Sequence, residues 1–487
     1  MNEVGGTLVA IAPADDELDL AHDFEDPRGA INARQPISTG APPSFKHPVF
    51  LFPLVSKVLC AQEMSSESNS AVPFLDYALW AGPSASKASR EQFATELRNV
   101  AVLGIGFFVL NNSPFDQGGR RERQFDFSRR FFALPLEERL KVSMDQSRHF
   151  RGFSKLGDEQ TKGRQDLRDQ LECGFDREPF PGIESLSRVQ LAAQPYLNLH
   201  GPNQFLDEGI LPGHRASTTE WLEIAREVNL QLTIALELAL GLSPNALVSI
   251  LRDSPADRIA QKEAEAKFAA VAQQDHEARY DGPAPYFRMK MIRYPRGADV
   301  DGFQKDDASS TQGVGAHKDG GWITLLATDS VGGLQIQDFT GEWIDVPHSN
   351  NGIIVNFGQQ IEKLTRGAVQ AATHRVHMPG NAGALPDRYS VAWFSMPSLT
   401  AHVHPLPLSN LSPDLLQAWR DSGRPDAPGK EEEAQDRRGG LVSDVPAGDL
   451  HGKDGEEFGI LAWRGITRSH PTVVAHWHKD LVPWQDL

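Results

Sequence analysis

Cysteine is nearly absent: the chain holds two, Cys60 and Cys173. They lie far apart and near no histidine cluster, which excludes a disulfide framework and a cysteine-ligated zinc site. That usage suits a reducing compartment, and a cytoplasmic location is the expectation. Long apolar runs are missing too. The longest apolar patch, "HPVFLFPLVSKVLCA" (47–61), is broken by Pro53 and Lys57 and is too short to span a bilayer. It sits too far from the N-terminus for a signal peptide, and the acidic run before it does not suit a mitochondrial presequence. Basic charge is in deficit: 48 Lys and Arg against 65 Asp and Glu give a formal net charge of -17. Such a surface repels phosphate backbones and anionic lipid, so neither nucleic acid nor a membrane is the expected partner.

What is present belongs to a globular protein, with 40% hydrophobic and 23% charged residues over 487 positions. The texture divides the chain. Residues 1–70 are rich in Asp, Pro, Ala and Gly without periodicity, and read as a disordered extension. Met64 before "SSESNS" resembles an ordinary polar N-terminus, so a start at Met64 is one hypothesis that N-terminal sequencing tests. Residues 71–252 read as mainly helical. Ser89 and Gln92 can form a capping box opening the helix "SREQFATELRNV". "GIGFFVLNN" reads as a buried strand, and "FDFSRRFFALPLEERLKV" as an amphipathic helix. "TTEWLEIAREVNLQLTIALELALGL" carries the longest helical period. Residues 253–285 form a charged, partly helical insertion. From Tyr286 the pattern changes to seven short strands: "YFRMKMIRYP", "WITLLATD", "GGLQIQD", "EWIDVP", "GIIVNFG", "ATHRVHMP" and "RYSVAWFSMP". Strands at this spacing predict an antiparallel sandwich or barrel over 286–422. Residues 423–457 are polar and read as disordered, and 458–487 close the chain with a helical piece in "SHPTVVAHWHKDLV".

The stretch "GVGAHKDGGWITLL" (313–326) sets His317 and Asp319 two positions apart. In an extended strand residues i and i+2 share a face, so one imidazole and one carboxylate converge while Lys318 turns away. "ATHRVHM" offers His374, far enough downstream for several strands and a return to the opposite wall of a barrel. Two neutral nitrogens and one carboxylate leave half an octahedron open, the ligand set of non-haem Fe(II) oxygenases. A structural zinc site would use four ligands. "DRYSVAWF" then puts Arg388 and Ser390 on one strand face. A buried arginine needs an anionic partner, and its planar fork suits a carboxylate. If no protein carboxylate pairs with Arg388, a dicarboxylate reaching from it to the metal fits. 2-Oxoglutarate is such a molecule: its keto-acid end chelates iron and leaves one position for dioxygen. A structural ion pair, or a clamp for the substrate's own carboxylate, are the alternatives.

Residues 72–420, with "FGILAWRGITRSHP", resemble the isopenicillin N synthase-like family of Fe(II)/2-oxoglutarate-dependent oxygenases. The specific motifs are "GAHKDGGWITLL", "GGLQIQDFTGEWIDVP", "GIIVNFGQQIEKLTRG", "ATHRV" and "RYSVAWF". "VPFLDY", "GFFVLNN" and "FFALPLEERLKV" match the family's helical cap, and "YLNLHGPNQF" a segment of microbial members. The resemblance implies an α+β fold, a double-stranded β-helix (a jelly-roll, cupin-like barrel) with a helical N-terminal cap and iron at its open mouth. It carries over His317, Asp319 and His374 as metal ligands and Arg388 and Ser390 as the clamp for the distal carboxylate. Tyr294 in "IRYP" matches a tyrosine near 2-oxoglutarate. Two positions depart: Ile292 stands where some plant members have asparagine, and Asn112 where a histidine is expected.

The function implied is oxidation of a small organic molecule coupled to decarboxylation of 2-oxoglutarate to succinate, with hydroxylation, desaturation and cyclisation all open. Two rivals stand beside it. One is an Fe(II) oxidase that needs no 2-oxoglutarate, and the other a barrel that binds a small carboxylate without turnover. The pairs His402/His404 and His476/His478 lack a convergent carboxylate and read as surface or packing residues. Arg375 and His377 read as outward-facing. Asn203 reads equally as a pocket or a turn residue, and Phe394 as a pocket or a core aromatic.

Overall fold

The computed structural model describes residues 72–161, 164–296, 299–300, 303–304, 312–347, 352–378, 386–422, 424 and 455–481. The expected extension over 1–70 lies outside them, as does nearly all of the 423–457 insertion. Within that insertion Arg424 is described, and it is buried, donating to the carbonyls of Val102, Gly367 and Ala368.

The long helix His214–Leu240 shows how pattern becomes structure. Trp221, Ala225, Val228, Leu232, Ala235 and Ala239 recur at three- and four-residue intervals and are buried on one stripe. Gly241, at φ +70°, ends the helix in the left-handed conformation that glycine adopts without a Cβ penalty. Two helical expectations shift. The capping box lies at Ser86 and Ser89, so that helix is Lys87–Arg98 and Ser89 is its third residue, not its cap. "FDFSRRFFALPLEERLKV" is two helices, Arg120–Ala133 and Leu136–Leu140, because Pro135 holds the residue before it extended. Pro255–Ala272 supplies the helix of the charged insertion. At the C-terminus the expected helical piece is present as short turns at Pro471–Val473 and Val474–His478, and a longer helix, Phe458–Ser469, precedes it.

The first strands in chain order are β1 (Phe74–Asp76), β2 (Phe107–Asn111), β3 (Gly152–Ser154), β4 (Gln160–Thr161), β5 (Arg164–Gln165) and β6 (Asp169–Cys173). β7 (Phe287–Tyr294), β8 (Asp299–Val300), β9 (Phe303–Gln304), β10 (Gln312–His317) and β11 (Ile323–Thr328) follow. β12 (Leu334–Gln337), β13 (Trp343–Asp345), β14 (Ile353–Phe357), β15 (His374–His377) and β16 (Arg388–Ser395) complete the set. All seven strands read from sequence beyond Tyr286 are present. An eight-stranded sheet runs β1-β2-β14-β11-β16-β7-β6-β3, and a four-stranded sheet runs β10-β15-β12-β13. From β10 onward the chain passes back and forth between the two sheets, with the β12–β13 hairpin staying in the small one, which makes the jelly-roll of a double-stranded β-helix.

Alternation along each strand divides two cores. Phe107, Val109, Ile292, Ile354 and Ala392 of the large sheet pack on Val314, Leu334, Ile336 and Val376 of the small one. The opposite face, with Met289, Met291, Leu325, Val355 and Trp393, packs with Val228, Leu232 and Ala235 of the long helix. No helix among the described residues is long and apolar enough to cross a membrane.

Three histidines are buried around these cores, and burial is the first cause that pushes each imidazole down to about 4. His214 sits among Phe127, Phe131 and Phe205 with neither ring nitrogen bonded. His149 meets the Asn198 carbonyl at 2.7 Å, and His478 stacks on Phe150. The unfolded chain binds these protons near pH 6.5, the folded one only near 4. Their contribution is therefore intact above pH 6.5 and is lost as pH falls from 6.5 to 4. Thermal unfolding is expected to drop already between pH 6.5 and 5, where most carboxylates remain ionised. His214→Leu is expected to flatten that slope.

Candidate metal centre and carboxylate clamp

His317 closes β10 and His374 opens β15, and the two are direct cross-strand partners. His374 thus stands beside His317 on the same sheet, not on the opposite wall as the sequence separation invited. Their ring centroids are 4.3 Å apart. Asp319 lies beyond the end of β10, so strand alternation does not place it. Its Oδ2 accepts from Thr324 Oγ1 at 2.6 Å and Asn356 Nδ2 at 2.7 Å, and its carbonyl accepts from the Gln359 N–H at 2.8 Å. Those bonds leave Oδ1 aimed at the histidines, 3.7 Å from each Nε2.

Both imidazoles have a fixed tautomer. Nδ1 of His317 donates to the Gly315 carbonyl at 2.8 Å and Nδ1 of His374 to the Ala372 carbonyl at 3.1 Å, so each Nε2 presents a lone pair to the centre. Burial, then the neighbouring His374, push the His317 imidazole down to about 4 against the pull of Asp319. Burial opposes ionisation of Asp319, but His374, His317 and the two side-chain donors hold its carboxyl below the usual range. Two neutral nitrogens and one carboxylate oxygen converge within 4.8 Å of one another. Cis ligands about 2.1 Å from a metal stand about 3 Å apart, so a small inward movement closes this set on a divalent ion.

Across the space between the sheets lies the second half of the site. Arg388 and Ser390 on β16 are each 1% exposed, and their register partners on β7 are Tyr294 and Ile292. Paired residues of neighbouring strands share a face, so Thr324 and Asn356 face the same way as Arg388, Ser390 and Tyr294. The Arg388 guanidinium lies 4.8 Å from the Tyr294 ring centre, while its Nε and Nη1 have no partner. Asp329, whose carboxylate feels Arg388, gives its oxygens to the backbone N–H groups of Tyr389 and Val331 instead. A buried guanidinium with open donors is built for an anion from outside the chain.

Four contributors escaped the sequence reading. Thr324 and Asn356 are polar residues at inward positions of otherwise apolar strands, which was the available signal. Phe107, from β2, packs edge-on to His374 at 5.4 Å. Glu362 accepts from Lys318 Nζ at 3.0 and 3.1 Å and from the Ala371 N–H at 3.2 Å. One carboxylate therefore ties the His317–Asp319 segment to the approach to His374. Glu362→Gln is expected to weaken iron binding about tenfold, Lys318→Met similarly, and the double variant no further. Metal titration of the three proteins checks this.

Other sequence readings resolve as packing. His478 is buried against Phe150 and Trp463, and His402 is exposed, bonded to the Gly455 carbonyl. Asn203 brackets Gly174, accepting from its N–H and donating to its carbonyl, a backbone brace. Arg375 lies over the Trp343 ring at 3.9 Å, away from the centre. Asn112 occupies a turn at φ +55° and donates to Asp76.

Comparison with known proteins agrees with the geometry. Residues 72–208 match the family described as non-haem dioxygenase in morphine synthesis N-terminal, and residues 286–397 the 2OG-Fe(II) oxygenase superfamily. A 2-oxoglutarate-dependent dioxygenase, frbJ, of Dothideomycetidae sp. is 28% identical over 414 residues, 85% of this chain and 93% of that protein. The proline hydroxylase buaE of Petromyces alliaceus is 28% identical over 63% of this chain and 82% of its own length. In fold, a Neurospora crassa protein solved with alpha-KG and thymine superposes with a TM-score of 0.52 at 21% identity, over 71% of this chain and 91% of that one. Matched in both its N-terminal region and its barrel, the chain belongs to the 2OG-Fe(II) oxygenase superfamily and is a 2-oxoglutarate-dependent dioxygenase.

Proposed function

We propose that His317, Asp319 and His374 hold the Fe(II), and that Arg388 and Ser390 hold the distal carboxylate of 2-oxoglutarate, with Tyr294 alongside. The observation that carries this reading is the buried Arg388 with Nε and Nη1 open, on a wall facing three convergent ligand atoms. When bound, iron and 2-oxoglutarate supply the oxidising chemistry, consuming dioxygen and releasing succinate and carbon dioxide as a C–H bond of the substrate is oxidised. The chain's own part is placement. Gly315 and Ala372 fix the imidazole tautomers, Thr324 and Asn356 aim Asp319, and Phe107 shields His374 from one side.

The substrate in this reading is a small polar molecule. The wall that bears Arg388 and Ser390 continues on the same face through Lys290, Arg288 and Glu172, where Lys290 and Arg288 are ion-paired with Glu172 and Glu159. Those charges are paired with one another and largely shut away from water, and the polar face they extend suits a polar substrate better than an apolar one. We also place the enzyme in the cytoplasm: Cys173 is a free thiol, buried and pushed up to about 12.

Anaerobic titration of the Fe(II)-loaded protein with 2-oxoglutarate tests the assignment. A weak visible charge-transfer band that saturates is the expected result, followed on aeration by succinate. Iron binding with no band at any concentration would sink it.

A further inference from the structure

Away from the metal centre, one cavity gathers buried polar atoms that the chain leaves unsatisfied. It is a narrow space of about 20 Å³ whose lining includes Arg151, Arg177, His200, Arg226 and Tyr286. Three guanidiniums reach it, and two are neutralised. Arg177 meets Glu265 at 2.7 Å, and Arg226 pairs with Asp253. Arg151 forms no ion pair among the described residues. It is 2% exposed, its Nη2 reaches the Leu199 carbonyl at 3.1 Å, its Nη1 only grazes the Phe150 carbonyl at 3.4 Å, and its Nε meets nothing. The Tyr286 hydroxyl, on a side chain 5% exposed, is likewise unpartnered. His200 adds no charge: its Nδ1 faces Arg177 at 3.5 Å and its Nε2 donates to the Pro285 carbonyl at 3.2 Å.

The sequence makes room for this arrangement. A Cβ at Gly174 would stand 2.4 Å from Nη2 of Arg151 and 2.6 Å from its Cζ, so the guanidinium can lie there only because residue 174 is glycine. Asn203 holds that glycine by both its N–H and its carbonyl. An uncompensated buried cation is costly, and a water molecule cannot offset its charge. A space of this size admits a single water-sized guest, which on charge grounds is an ion of one atom.

We propose that this cavity binds one small monovalent anion, a halide of chloride size, held by Nε of Arg151 and the hydroxyl of Tyr286. The ion neutralises Arg151 and satisfies both orphan donors, so it acts as a structural counter-ion joining the residue before β3 to the start of the barrel at Tyr286. Crystals of the full-length protein grown with bromide, read by anomalous scattering, test the position. Thermal unfolding in sodium bromide or chloride against sodium gluconate at equal ionic strength tests the energetics. One anomalous peak between the two donors and a saturable, halide-specific rise in Tm are expected. Tyr286→Phe, which keeps the ring, is expected to weaken bromide about tenfold, and Arg151→Met to remove the peak and the halide dependence. A cavity holding only water, with the same Tm in gluconate and bromide, overturns the assignment. So does a halide response that survives unchanged in Tyr286→Phe.

Discussion

Asp319→Ala protein is expected to fold but to retain no iron, and its succinate production is expected to fall by more than about a thousandfold. Removing a partner of a metal ligand commonly costs about 10- to 100-fold, and here a proposed ligand itself goes. The loss has two parts. The charge that balances the divalent ion disappears, and Thr324 Oγ1 and Asn356 Nδ2 lose their acceptor. Those stranded donors cost about 1–3 kcal/mol of stability. Asp319→Asn separates the two parts, because its amide oxygen can still accept from Thr324 while supplying no negative charge. Binding of Co(II) as a spectroscopic stand-in, together with unfolding curves for both variants, distinguishes a lost ligand from a damaged fold. Retained Co(II) binding in both would remove Asp319 from the ligand set.

Arg388 gives the second large effect, and its sign reverses with ligand. With 2-oxoglutarate present, Arg388→Met is expected to raise the concentration needed for the charge-transfer band by about 150- to 4,000-fold, since breaking a buried charge pair costs about 3–5 kcal/mol. Without 2-oxoglutarate the same variant is expected to be more stable than the parent. The guanidinium is buried with Nε and Nη1 open, and Arg296 close by adds repulsion. Methionine fills a similar volume without that penalty. Unfolding measured at zero and at saturating 2-oxoglutarate should therefore rank the two proteins in opposite orders. The same ranking in both conditions would mean that Arg388 does not meet the co-substrate.

Much of this was legible from residue types alone. Seven of the strands between Phe287 and Ser395 announce themselves by short alternating or apolar runs between turn residues, while the two-residue β8 and β9 do not. His317, Asp319, His374, Arg388 and Ser390 are conspicuous as polar groups set into such runs. Register was not legible. Nothing in the pattern says that β15 pairs with β10, and the sequence gap suggested opposite walls where the structure has neighbours. Asp319 was found for an incomplete reason, since its position depends on Thr324 and Asn356 rather than on continuing the strand. Local helix signals slipped where two cues competed: Ser86 and Ser89 both suit a cap, and Pro135 interrupts a pattern otherwise amphipathic throughout. The Arg151–Gly174 contact joins residues on different elements, and no spacing rule reaches that far.

The large sheet interleaves strands from both halves of the chain: β2 pairs with β14, and β6 pairs with β7. These are long-range contacts, and they set the order of events as the chain emerges from the ribosome. β2 can pair with β1 and β6 with β3, but each lacks its second neighbour until β14 and β7 appear. Phe107, which shields His374, waits for residues near the end of the barrel. Pairings of such separation close slowly and leave apolar strand edges open meanwhile. The proposed metal pocket is thus among the last parts to form, and a nascent chain halted before β16 carries His317, Asp319 and His374 but lacks Arg388 and Ser390. Cleavage of the finished protein between residues 208 and 286 would not yield two independent domains, because each fragment carries half of one sheet.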